Sequence, residues 1–170
     1  MDSLAPEPPP ATADPAVLLD LQIDRYRRIL VAKLEGLTDE QLRSSILPSG
    51  WTPLELLKHL AYVEIRWLRW GFLAEDLDDP WGDRRDDRWY VAPEETLADL
   101  TALLRATAAR SREIAAGTPL DRTAPLGGRF ALPVEAPTLG WILVHLLQEY
   151  ARHVGQLDVV RELLDGATGE

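Results

Sequence analysis

Three histidines and one glutamate carry most of the chemistry this sequence offers. His145, Glu149 and His153 are spaced four apart in the segment WILVHLLQEYARHVGQLDVVRELLDG, so on a helix all three share one face. His153 also falls in the apolar seam of that segment. His59 lies one turn from both Leu56 and Val63, which turns its imidazole toward an interior rather than toward water. An ionised glutamate beside an apolar seam needs a cation, a proton or a route to solvent, because burying it unpaired costs at least several kcal/mol. A divalent metal held by His59, Glu149 and His153 would offset that cost. Two imidazoles and one carboxylate would leave a coordination position open for water or substrate.

A hydrogen-bonded cluster without metal accounts for the same residues. Glu149 could pair with Arg152 or Arg66, and His59 could donate to a backbone carbonyl. Spacing alone leaves the two readings level. His145 reads as packing or as a group behind the ligands. Glu64, Asp158 and Arg161 could orient site residues or lie on solvated helix faces. Trp67, Trp70 and Trp141 read as core.

The elements that must position these groups are helical. Asp14-Pro15 is a cap followed by proline at the first helical position, and Leu19, Ile23, Tyr26, Leu30 and Leu34 recur behind it at helical spacing. Thr38 to Ser44 predicts a short capped turn. Thr52-Pro53 opens a second long helix with Leu56, Leu60, Val63, Trp67 and Trp70 in steps of four and three. Glu75 to Val91 is charged and broken by Pro80 and Gly82, which predicts a long connection. Thr96-x-x-Asp99 opens a third helix ending near Gly117, and a proline-rich loop from Thr118 to Pro137 could form a small hairpin around Gly127-Gly128. Thr138 caps the last helix, which Gly166 stops. The pattern predicts an all-α fold, a four-helix bundle.

The chain has 170 residues, 46% of them apolar and 27% charged, the composition of one globular domain. The first 13 residues, MDSLAPEPPPATA, are Pro-rich and predict a disordered tail, leaving residues 14–170 as a single domain. A formal charge of −10 disfavours nucleic acid and anionic lipid as partners. With no cysteine, any thiol chemistry must use a borrowed thiol. Charges interrupt every hydrophobic run, so no membrane span is expected and a cytoplasmic location is. Apolar helix surface beyond what one bundle can bury would favour a homodimer. No paired Glu-x-x-His motifs of a di-iron bundle and no nucleophile elbow are present.

Two segments together, Gly50-WTPLELLKHLAYVE-Ile65 and the final run from Trp141 to Gly166, resemble the DinB-like superfamily. Within it the likeness is to the branch of mycothiol-dependent maleylpyruvate isomerases and thiol transferases. The resemblance implies an up-down-down-up bundle with a long crossover between helices two and three. It places the family's metal ligands on His59, Glu149 and His153, although many members carry a histidine where this chain has Glu149. Zinc is the first expectation for the ion, with nickel or iron as others, and a low-molecular-weight thiol is the implied cosubstrate.

The expected activity is therefore a metal-dependent S-transferase that activates such a thiol toward a small electrophile, in detoxification. A metal-dependent hydrolase and a non-catalytic binding or dimerisation module are the alternatives.

Overall fold

Each long helix begins where the sequence supplies a capping side chain. The computed structural model describes residues 5–168. Helix α1 spans Pro15–Leu34, with the Asp14 carboxylate accepting from the Ala16 and Val17 amides. The short α2 spans Asp39–Arg43, α3 spans Pro53–Glu64 and α4 spans Leu97–Ala115. Thr38, Thr52 and Thr96 cap them, and Gln41, Glu55 and Asp99 return a bond to each cap backbone, closing three capping boxes. Thr138 caps α5, Leu139–Asp165, and Gly166 ends it in the left-handed conformation. Loss of any one of these caps should cost about 1 kcal/mol.

The chain is thus mostly helical, as expected for the all-α class. Helix α1 packs chiefly on α5 and α3 on α4, while α3 also meets α5. Leu30, Leu34, Leu54, Leu56, Leu57, Leu60, Leu68, Leu139, Leu146 and Leu157 are fully enclosed between them. Each such side chain contributes roughly 1.5–3 kcal/mol of burial. Among the described residues no helix is long and apolar enough to cross a membrane. Of the tail expected over residues 1–13, the first four lie outside the described residues. Ala5 is buried and its carbonyl accepts from Arg25 Nε, and Glu7 pairs with Arg25.

One buried carboxylate joins the four long helices. Glu64, at the end of α3, accepts from Arg27 Nε and Nη2 of α1 at 2.8 and 2.9 Å, from Ser111 Oγ of α4 at 2.5 Å and from Tyr150 Oη of α5 at 2.5 Å. Burial and the Glu64 charge raise the Tyr150 phenol well above its ordinary value, so it stays protonated and donates. This contact holds α5 in rotation immediately next to Glu149.

The structure departs from the sequence expectation at three places. The second long helix does not run evenly to Trp70. After Glu64 it widens into a π-helix, Ile65–Phe72, which turns Trp67 and Trp70 partly out of the seam. The charged connection contains a hairpin, β1 Arg84–Arg85 paired antiparallel with β2 Arg88–Trp89, and its turn residues Asp86 and Asp87 both take positive φ. Aspartate tolerates that region better than most residues because its short side chain bonds locally. Finally, Trp141 is 52% exposed rather than core. It lies one turn before His145 on the face of α5 that looks out of the helix packing.

Candidate metal centre

Helix α3 delivers His59, and α5 delivers Glu149 and His153 on successive turns. One ligand atom from each lies within 4.8 Å of the other two. His59 Nε2 is 3.8 Å and His153 Nε2 is 3.4 Å from the same Glu149 oxygen, Oε2. The two rings meet edge to face, with centroids 5.2 Å apart. His59 and His153 are buried, whereas 22% of the Glu149 side chain is exposed, so the cluster is reached from one side.

The remaining ring nitrogens are already engaged. His59 Nδ1 lies 3.0 Å from Asp83 Oδ2, and His153 Nδ1 lies 2.8 Å from Gln156 Oε1. Both partners are acceptors, so in the neutral rings the proton sits on Nδ1 and the lone pair on Nε2. Two lone pairs and a carboxylate oxygen then converge with no donor between them. That arrangement is repulsive alone and is relieved by a cation, which is the sense in which these residues fit a metal. A tetrahedral zinc site with bonds of about 2.0–2.1 Å separates its ligand atoms by about 3.3 Å, close to the 3.4 and 3.8 Å seen here.

With no ion between them, the rings would instead hold a proton on Nε2 and donate. Contacts with His153 and then His59 hold the Glu149 carboxyl well below the usual carboxylate range, against the partial burial that would raise it. Glu149 is thus an ionised oxygen donor that a cation could take over from those protons. Burial also pushes Asp83 up, but His59 and Arg66 together bring it below its ordinary value. Arg66 grips Asp83 in a fork, Nη1 to Oδ1 at 2.5 Å and Nη2 to Oδ2 at 3.2 Å. Arg66 is therefore the partner of Asp83 and not of Glu149, as the sequence had allowed.

The β1–β2 hairpin sets two of these neighbours. Asp83 directly precedes β1, Trp89 ends β2, and the Tyr90 amide donates to the Asp83 carbonyl at 2.8 Å. The fold-back needs Gly82, because a Cβ there would stand 2.3 Å from the Tyr62 hydroxyl of α3. Trp89 then stacks on His59 with centroids 4.1 Å apart and presents its edge to His153 at 5.4 Å. Water is kept from one side of both rings.

His145 joins the cluster at its margin. Its Nε2 is 3.7 Å from the other Glu149 oxygen, Oε1, and its ring stacks on Trp141 and tilts against Trp67 at 4.5 Å. Burial lowers the His145 pKa, Glu149 opposes that, and Arg129 adds to the lowering. The other expected orienting residues lie elsewhere. Glu64 serves the helix junction described above. Asp158 pairs with Lys33, and Arg161 bonds Asp165 and the Lys33 carbonyl, so both tie α5 to the end of α1.

Asp83, Gln156 and Trp89 were not singled out by the sequence. Gln156 could have been, because it stands three residues after His153 on the same helix. Asp83 sits among several similar aspartates, and only the fold selects it.

Comparison with known families then gives one finding: the family model described as mycothiol-S-transferase matches residues 18–166. No curated protein gives a significant match.

Proposed function

The chain belongs to the mycothiol-S-transferase family, a DinB-like family, and from that membership and the cluster we propose that it is a metal-dependent S-transferase. Its cosubstrate would be a low-molecular-weight thiol, mycothiol by family, and its second substrate a small electrophile, in a detoxifying role. The observation that carries the reading is the convergence of His59 Nε2 and His153 Nε2 on Glu149 Oε2 while both Nδ1 atoms are tied to acceptors. His59, Glu149 and His153 would hold the ion. Zinc suits two imidazoles and a carboxylate best, and nickel or iron also accept that set.

When bound, the ion supplies Lewis acidity that favours a thiolate at neutral pH. The chain's own residues do the rest. Asp83 and Gln156 fix the tautomer and the direction of the two imidazoles, as outer partners of metal-binding histidines do. Trp89 screens His59 from water, and His145 steers the second oxygen of Glu149. In the transfer the sulfur forms a bond to the electrophilic carbon, the leaving group departs with its electron pair, and the thiol proton passes to solvent.

On the same reading the four long helices form an up-down-down-up bundle within one domain over residues 14–170. The packing of α1 on α5, of α3 on α4 and of α3 on α5 supports a bundle of these four helices. A homodimer through the exposed Val144, Val159 and Leu163 of α5 and a cytoplasmic location complete the proposal.

The test is turnover of a model electrophile, monobromobimane, by the zinc-loaded protein with mycothiol. Glu149→Ala and His153→Ala should abolish it, and omission of thiol should stop it. Full turnover in both variants would refute the assignment, and product formed equally well without thiol would refute transfer.

A further inference from the structure

Beside the proposed centre, and outside it, stands an arginine, Arg129, with no carboxylate partner among the described residues. The Gly127-Gly128 turn closes through reciprocal bonds between Gly127 and Phe130, N to O at 2.9 and 3.2 Å. Gly128 takes φ +54°, and a Cβ on it would lie 2.1 Å from the Trp70 carbonyl oxygen. Only glycine lets the turn sit this close to the π-helix. The Arg129 amide donates to that same carbonyl at 3.2 Å, which clips the turn in place.

So held, the Arg129 guanidinium carbon lies 4.3 Å from the Trp67 ring centroid, 5.8 Å from Trp70 and 5.9 Å from Trp81. Cation–π contact of this kind directs the cation but leaves its in-plane N–H donors free. Among the described residues no carboxylate comes within ion-pair distance of it. Arg66, which also covers Trp81, is by contrast forked onto Asp83. Glu135 borders the same space but spends its Oε2 on the Ala131 and Leu132 amides. Arg84, 5.1 Å from the Trp81 centroid, likewise has no carboxylate partner among the described residues. Burial, reinforced by Arg66, depresses the Arg129 pKa, the sign of a cation without compensation.

A half-buried cation with no carboxylate partner among the described residues, in a chain of net charge −10, offers a place for an anion from outside. The space it faces is a shallow groove, open to solvent, of about 380 Å³ and lined by Trp67, Trp70, Trp81, Arg129, Phe130 and Glu135, of a size that takes a small organic molecule against one side. It adjoins the centre, since Trp67 touches His145 and His145 touches Glu149.

We infer that Arg129 is the carboxylate anchor of this groove and that its ligand is a small aromatic carboxylate, its ring laid against the tryptophans. That this ligand is the electrophile rests on the S-transferase reading; that it is a carboxylate does not.

The experiment is calorimetric titration of the full-length protein with cinnamate and with cinnamamide, its uncharged counterpart. Cinnamate should bind about tenfold tighter, the size expected of one charge-assisted fork. Arg129→Gln should remove that preference while leaving cinnamamide binding intact, and Arg129→Lys should retain part of it. Circular dichroism of both variants checks the fold. Equal binding of the two probes to the unaltered protein, or a preference that survives in Arg129→Gln, would overturn the inference. The same titration on Glu149→Ala separates the two proposals: the preference should persist there even if metal and turnover are lost. A preference that vanishes in Glu149→Ala with Arg129 intact would place the carboxylate on the metal and overturn the assignment to Arg129.

Discussion

Asp83 Oδ2 lies 3.0 Å from His59 Nδ1 while Arg66 grips the same carboxylate from the other side. The imidazole is thereby aimed at Glu149 before any ligand arrives. Asp83→Asn keeps the shape but alters the acceptor, so it should weaken zinc affinity about 10–100-fold, as loss of such outer partners does. Competition against a chromophoric chelator measures this. Unchanged affinity would mean that Asp83 serves only Arg66.

The Glu64 junction makes a separate prediction about stability. Tyr150→Phe removes one donor from a fully buried carboxylate and should cost about 1.5–3 kcal/mol, the range for hydrogen bonds to charged groups. Urea unfolding reads this. Zinc stoichiometry should not change, because Arg27 and Ser111 still hold Glu64.

Acid should act on the exit of the π-helix. Partial burial raises Glu75, yet bonds from Arg110 and Arg69 outweigh it and bring the carboxyl below its ordinary value of 4.5. A lowered folded-state pKa contributes stability above 4.5, and that contribution fades as pH falls through the folded value. Glu75→Gln should therefore melt below the unaltered protein at pH 7, with the gap closing as pH falls from 4.5 through the lowered value of the folded carboxyl. A gap that stays constant with pH would exclude the ionised carboxylate as its source.

Gly128→Ala addresses the turn that carries Arg129. Its positive φ and the approach to Trp70 should make the substitution cost about 1 kcal/mol or more. Thermal melting checks it, and a neutral result would mean that the turn shifts freely.

What could be read from the sequence divides along physical lines. His59, Glu149 and His153 were legible because helical spacing fixes which side chains share a face, and apolar neighbours show which face turns inward. The caps at Asp14, Thr52, Thr96 and Thr138 were legible because they act over three residues. Asp83 and Trp89 were not, since a hairpin docked by Gly82 brings them to His59 through contacts distant in sequence. Glu64 reads in the sequence either as a group orienting the site or as part of a solvated face, and the structure makes it neither, burying it at the helix junction. Its partners were Arg27, Ser111 and Tyr150 rather than a metal ligand. Trp141 reads as core because a large aromatic on a helix is more often packed than exposed, and its exposure at the start of α5 shows that the packing opens where it borders the site.

The central claim is that His59, Glu149 and His153 share one cation. X-ray absorption spectroscopy on the zinc-loaded protein tests it most directly. The account predicts one zinc per chain with two imidazole nitrogens and one protein carboxylate among its ligands, and loss of one imidazole in either His59→Ala or His153→Ala. Zinc whose ligand shell is the same in all three proteins, or zinc that fails to bind at stoichiometric concentration, would contradict it.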